Sequence, residues 1–262
     1  MPTSLPETFA PITLASFAEL PDEAPAPQLS GDDLHLWLLP LPIRHETLRQ
    51  TIERLPDAAE RASAAGRVFA ADRLRQMHAH GLLRHLLGYY LARNPQGLGF
   101  ITNDYGKPAL GTVDGLQFNL SHCQDRVLIG LSRRVPVGVD LERIRPLPNR
   151  DALAAHCCSA DELNWLTGRP ASDQDRDFFR LWTAKEAVLK TLGTGLARPP
   201  ERVTIRFSNT DSGFAEVTGA GSPWTLFVTC PDADHAIAAA IRAVIGHGQI
   251  RGFHVADGYP DQ

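Results

Sequence analysis

One order of elements is written twice in this chain, and that repetition constrains the fold more than any single motif. Residues 33–39 alternate as a strand and lead through Pro40-Leu41-Pro42 into a helical stretch. Residues 140–144 lead in the same way through Pro146-Leu147-Pro148 into another. Each half then has an acidic helix start, near Pro56-Asp57 and at Ser159-Ala160-Asp161-Glu162, the second with capping-box spacing. A long helix follows in each and closes on a Leu-Gly pair, Leu87-Gly88 and Leu192-Gly193, where glycine suits a left-handed cap. Strands come next, at 99–102, 117–121 and 126–132 in the first half. In the second half they fall at 202–207, 214–218, 225–230 and 235–242. The pattern predicts an α+β protein of two similar α/β subdomains, residues 31–135 and 136–245. A Pro-rich N-terminal extension (1–30) and a C-terminal tail (246–262) read as surface-wrapped or mobile ends.

Chemistry concentrates on the second long helix. Phe178, Leu181, Val188, Leu189 and Leu192 form its apolar stripe at helical spacing. Trp182, Glu186 and Lys190 fall on an adjoining face at i, i+4 and i+8, which sets a carboxylate beside an ammonium and a large ring. Alone, that is a surface ion pair worth a few tenths of a kcal/mol. A second acidic group stands upstream in Val137-Gly138-Val139-Asp140-Leu141-Glu142, a strand that begins near Pro136, where no ladder donor is needed. Side chains two apart on a strand share a face, so Asp140 and Glu142 point the same way and repel unless a cation lies between them. Alone, that is a solvated edge strand.

Taken together, Asp-x-Glu on a strand and Trp-x-x-Lys-Glu-Ala-x-x-Lys on a helix some forty residues later resemble the broad-specificity, Sfp-type 4′-phosphopantetheinyl transferases. Two further family motifs precede them in order, Tyr105-Gly106-Lys107-Pro108 and Phe118-Asn119-Leu120-Ser121-His122. The resemblance runs from about residue 57 to about residue 196. It implies a pseudo-twofold arrangement of the two subdomains, with the active site in the cleft between them. It also implies a reaction, in which coenzyme A gives its phosphopantetheine arm to a serine of an acyl, peptidyl or aryl carrier protein. The other product is adenosine 3′,5′-bisphosphate.

The residue types suit that reaction. Breaking a pyrophosphate requires negative charge to be neutralised as it builds on the leaving oxygen. Three carboxylates offer the hard oxygen ligands that Mg²⁺ prefers, and by resemblance these are Asp140, Glu142 and Glu186. Glu186 is also the implied general base, acting directly or through a metal-bound water. Lys190, one turn on, is implied to hold a pyrophosphate oxygen. Lys185 matches the motif and counts as a coenzyme A contact, although it lies about 100° around the helix from Glu186.

The remaining motifs are implied to clamp the nucleotide. Tyr105-Gly106-Lys107-Pro108 is a turn by composition, because Gly permits unusual dihedrals and Pro extends the residue before it. In the family this turn approaches the adenine, with Lys107 adding charge. Resemblance gives Ser121 a pyrophosphate contact and His122 a 3′-phosphate contact. A helix over about 71–91 carries Arg75 and Arg84, nine residues and so about 180° apart, which cannot serve one phosphate together. Arg75 is the expected 3′-phosphate ligand, with Arg61 and Arg67 in the basic segment before it. His78, His80 and His85 read as surface histidines. The Arg143, Arg145 and Arg150 group beside the acidic strand is either an acidic carrier's docking face or merely solvated.

Composition narrows the alternatives. A net charge of −4 argues against a nucleic-acid binder, whose basic stripe would dominate the balance. No segment approaches eighteen apolar residues, and the N-terminus lacks a signal-peptide core, so neither a membrane span nor export is expected. Four cysteines without a C-x-x-C pattern read as reduced thiols of a cytoplasmic protein. Two covalently joined copies of one unit suggest a monomer. A non-catalytic coenzyme A or carrier-binding relative would lack a metal ligand or the lysine, whereas Asp140, Glu142, Glu186 and Lys190 are all present. An unrelated phosphohydrolase would want a glycine-rich phosphate loop, and the sequence has none.

Overall fold

The repetition seen in the sequence becomes two sheets packed against each other. The computed structural model describes residues 9–12, 26–111, 115–207, 213–221 and 223–255. The first half runs β2 (Leu34–Pro40), α1 (Glu46–Arg54), α2 (Ala58–Ala65), α3 (Ala70–Leu91), β3 (Phe100–Thr102), β4 (Pro108–Leu110), β5 (Gln117–Cys123) and β6 (Arg126–Ser132). The second runs β7 (Val137–Arg143), α4 (Arg150–Cys157), α5 (Ala160–Thr167), α6 (Gln174–Leu192), β8 (Thr204–Phe207), β9 (Gly213–Thr218), β10 (Thr225–Thr229) and β11 (His235–Ile241). In both, the strand before the helices pairs antiparallel with the last strand of its half: Leu36 lies opposite Gly130, and Asp140 opposite Ala238.

The flanks depart from expectation. The chain beyond residue 246, expected as a tail, contains β12 (Ile250–Val255), which pairs in parallel with β2 and with β1 (Phe9–Ile12). The first sheet is therefore ordered β1-β12-β2-β6-β5, and the second β7-β11-β10-β9-β8. Ile250 and Phe253 are buried, and Phe253 stacks on Trp37 at 4.2 Å between ring centroids. Burial of those two side chains, together with ladder bonds to β2, outweighs the polar composition of the segment. The rest of the N-terminal extension up to residue 25, and residues 256–262, lie outside the described residues.

Period-two alternation sorts the side chains into layers. On β2, Trp37 and Leu39 face the helices of the first half, whereas Leu34, Leu36 and Leu38 face the second sheet. On β7, Val137, Val139 and Leu141 join that inter-sheet core, which turns Gly138, Asp140 and Glu142 to the other side. Both predicted helix starts are reciprocal capping boxes, Asp57 with Glu60 and Ser159 with Glu162. Gly193 caps α6 with φ +71°. Gly88 does not cap its helix. A Cβ there would lie 2.9 Å from the Arg93 carbonyl oxygen, so glycine instead lets the following chain fold back, and α3 runs on to Leu91 with Ala92 as its left-handed cap. Among the described residues, no helix is long and apolar enough to cross a membrane.

Candidate active site

Small residues bring α6 onto the acidic strand. A Cβ on Gly138 would stand 2.2 Å from the Ala187 carbonyl oxygen and 2.4 Å from the Thr191 nitrogen. The neighbouring strand offers α6 only Ala236, Ala238 and Ala240, and Thr191 Oγ1 donates to the Ala240 carbonyl at 3.0 Å. With Leu181, Val188 and Leu189 fully buried, Trp182, Glu186 and Lys190 remain as a half-buried row, as their spacing predicts.

The edge strands of the two sheets, β5 and β7, run beside each other along the seam between the halves. Asn119 Oδ1 accepts a hydrogen bond from the Val139 amide at 2.8 Å. Two residues along, Ser121 Oγ donates to Asp140 Oδ1 at 2.9 Å. Lys190 Nζ donates to the same carboxylate oxygen at 2.6 Å and to Ser121 Oγ at 3.1 Å. Three residues from three distant parts of the chain thus meet at one point. Glu142, further along β7, lines a cavity together with Trp182.

Negative charge in this cleft is incompletely balanced. Burial and the neighbouring Asp140 carboxylate push Glu142 up to about 7. Burial, then Asp140, also raises Glu186, against the opposing pull of Lys190. Among the described residues, no three histidine, cysteine or carboxylate side chains stand close enough to hold an ion as they are placed. The donor set still suits a hard divalent cation. Asp140 Oδ2 is buried without a hydrogen-bond partner, and the Glu142 and Glu186 carboxylates both lie near enough to feel the Asp140 charge, which gathers hard oxygen donors in one place.

His122 points to the opposite side of β5 from Ser121, as strand geometry requires. Burial lowers its proton affinity, and His80, Arg67 and Lys190 lower it further. The basic side chains that act on it are therefore His80, Arg67 and Lys190, a neighbourhood that no sequence spacing revealed. Arg75 lies one step away, paired at 3.0 Å with Asp72, which also faces His122. Its Nε is buried without a partner. Arg84 is on the far face of α3, as expected, and is fully committed to Asp57 and Glu60 at 2.6 Å each. Arg61 is likewise committed to the Pro56 and Glu53 carbonyls. His78 and His85 correct the surface-histidine expectation, since both are buried. His78 Nδ1 accepts from the Ile43 amide, a tertiary contact invisible in a helical pattern.

Two lysines expected to meet the nucleotide point elsewhere. Lys185 is wholly buried; its ammonium pairs with Glu162 Oε2 at 2.7 Å and donates to the Pro200 and Val203 carbonyls. The 100° separation from Glu186 decides this, because it turns Lys185 into the second-half core. Lys107 donates to the Val137 and Thr191 carbonyls at 3.1 and 3.3 Å. Burial lowers its affinity for a proton to about 8. Tyr105 is exposed at the tip of the β3–β4 hairpin, Gly106 takes φ +81°, and Pro108 opens β4. In the arginine group, Arg150 is paired with Asp151 and Asp175, and Arg145 lies over the Phe179 ring. Beside Glu142 opens an apolar cavity of about 320 Å³, walled by Leu147, Leu153, Phe178, Phe179 and Trp182.

Two like halves thus bring acids and a lysine together at their seam. The sequence profile of the 4′-phosphopantetheinyl transferase superfamily matches residues 136–240. The 4′-phosphopantetheinyl transferase HetI of Nostoc sp. strain PCC 7120 is 34% identical over 223 residues, covering 84% of this chain and 91% of that protein. The 4′-phosphopantetheinyl transferase psf-1 of Bacillus pumilus is 35% identical over 170 residues, covering 64% of this chain and 72% of its own length. The 4′-phosphopantetheinyl transferase Sfp of Bacillus subtilis strain 168 is 26% identical over 152 residues, 58% of this chain and 66% of that one. The chain belongs to the 4′-phosphopantetheinyl transferase family.

Proposed function

We propose that the seam between the halves transfers the 4′-phosphopantetheine group of coenzyme A to a serine of a carrier protein. The observation that carries this reading is the meeting of Ser121, Asp140 and Lys190 between the two sheets, with Glu142 and Glu186 alongside. The 3′-phosphate is assigned to His122 with Arg67 and Arg75. There the uncapped N-terminus of α3, which has no side-chain cap bond, also favours an anion. The Tyr105-Gly106-Lys107-Pro108 turn is assigned to the adenine through its backbone, Tyr105 and Pro108. The pyrophosphate then lies over Ser121 and Lys190, and the apolar cavity beside Glu142 takes the pantetheine arm.

Glu186, whose affinity for a proton is raised, accepts the proton of the carrier serine hydroxyl. The serine oxygen bonds to the phosphorus that carries the arm, and the bond from that phosphorus to the bridging oxygen breaks. Charge passes to the leaving bisphosphate, and Lys190 turns from Asp140 to meet it. Asp140, Glu142 and Glu186 would hold Mg²⁺, which when bound neutralises pyrophosphate charge. The duplicated fold supports a monomer, and dependence on coenzyme A supports action in the cytoplasm. Incubation with coenzyme A, Mg²⁺ and apo acyl, peptidyl and aryl carriers tests the proposal. A carrier mass gain of one phosphopantetheine is expected; a folded protein that modifies none of the panel would refute it.

A further inference from the structure

Lys107 belongs to the turn that the family resemblance assigns to the nucleotide, yet its ammonium is occupied within the protein. Asn103 shapes the turn, its Oδ1 accepting from the Tyr105 and Lys107 amides at 3.0 and 2.9 Å. The same side chain docks the turn on the catalytic helix, because Asn103 Nδ2 donates to the Gly193 carbonyl at 2.9 Å. The Lys107 stem packs on that helix end, with its Cδ 3.3 Å from where a Gly193 Cβ would stand. Its ammonium donates to the carbonyls of Val137 and Thr191. Val137 opens the strand that carries Asp140, three residues on, and Thr191 immediately follows Lys190. One cation from the first half therefore ties together the two elements whose spacing sets the contact of 2.6 Å between Lys190 and Asp140. A cation at these last-turn carbonyls also opposes the negative end of the α6 dipole.

We infer that Lys107 is a positioning residue: it fixes α6 against β7 so that the backbones carrying Lys190 and Asp140 keep the spacing the reaction needs, and its side chain does not touch coenzyme A. This rests on the transferase reading above. Displacement of a catalytic group by about 1 Å costs on the order of a hundredfold in rate. A lost nucleotide contact would instead appear mainly in KM.

The test is steady-state transfer to an apo carrier by the unaltered protein, Lys107→Met and Lys107→Arg, with thermal unfolding in parallel. Lys107→Met keeps the stem and removes the charge. A fall in kcat of about tenfold or more is expected, with KM for coenzyme A changed less than about twofold and partial rescue of kcat by arginine. A tenfold rise in KM with kcat kept would instead show direct contact with the nucleotide and overturn the inference. A lowered Tm with both constants unchanged would also overturn it, by showing a merely structural tie. Should Lys107→Met fail to fold, Asn103→Ala unties the turn from Gly193 while keeping the lysine. Loss of kcat at constant KM would then support the inference, and unchanged kcat would overturn it. Transfer unimpaired in both variants sinks this inference alone, whereas absence of transfer by the unaltered protein sinks the transferase reading and this inference together.

Discussion

Lys185→Met is the substitution on which a ligand-facing and a core-facing lysine differ most. The Lys185–Glu162 pair spans 2.7 Å, with side-chain exposures of 0% and 1%. Methionine fills much of the volume but leaves the Glu162 carboxylate buried without its cation. Glu162 keeps the Ser159 and Ile205 amides as donors, at 2.6 and 2.7 Å, while the Pro200 and Val203 carbonyls lose theirs. Removal of one member of such a pair costs about 3–5 kcal/mol. In a chain of this size each kcal/mol lowers Tm by about 2–4 °C, so a drop on the order of 10 °C is expected. Glu162→Gln in the same chain removes the stranded charge and should recover part of the loss, a coupling that a double-mutant cycle measures. Calorimetry gives Tm, and KM for coenzyme A at a temperature where the variant remains folded should stay within about twofold of the parent. A variant of unchanged stability whose KM for coenzyme A rose tenfold would refute the argument, because it would put the ammonium at the ligand.

Other perturbations separate the groups at the seam. Asp140→Ala and Glu186→Ala should each lower kcat/KM by about a hundredfold to a thousandfold while leaving the fold intact, read by transfer assay and circular dichroism. Lys190→Ala should depress kcat more than it raises KM for coenzyme A, since the charge it meets grows as the bond breaks. Protons compete with Mg²⁺ for Glu142, raised to about 7, and for Glu186. Thermal stabilisation by Mg²⁺ should therefore be stronger at pH 8 than at pH 5.5, and Glu142→Gln should flatten that dependence. His235 at the start of β11 sits between Asp232 and Asp125, at 3.0 and 3.1 Å, and joins β11 to the β5–β6 turn. Burial lowers its affinity for a proton, but bonds to Asp125 and Asp232 prevail and raise it above 6.5. The stability it contributes is full below its unfolded value and is lost as pH rises through the raised folded value. His235→Asn should accordingly reduce the fall in Tm between pH 6 and pH 9.

Local sequence is enough to mark most of the elements and their order, though neither β12 nor the end of α3. Helix caps, strand alternation and the apolar stripe of α6 are local consequences of backbone geometry, so Asp57, Ser159 and Gly193 fall at the helix ends their residue types predict. Local geometry also put Asp140 and Glu142 on one face of a strand, and Glu186 and Lys190 on one face of a helix. Ser121 and His122 could likewise be assigned to opposite faces of one strand.

Which of these groups meet follows from packing between segments far apart in the chain. The contact of Lys190 with Asp140 depends on Gly138 admitting the helix backbone, and that of Ser121 depends on two sheet edges lying side by side. The fates of Lys185, Lys107 and His78 depend on backbone groups and acids distant in sequence, and that of His85 on burial, so a motif marked the lysines as ligand contacts and the histidines read as surface. The polar C-terminal segment became a strand because the edge of β2 offered ladder bonds and an apolar face, neither of which is written in the segment itself. Propensity and periodicity act over a few residues. Burial, ion pairing and the convergence of a site are properties of neighbours that only the folded chain supplies.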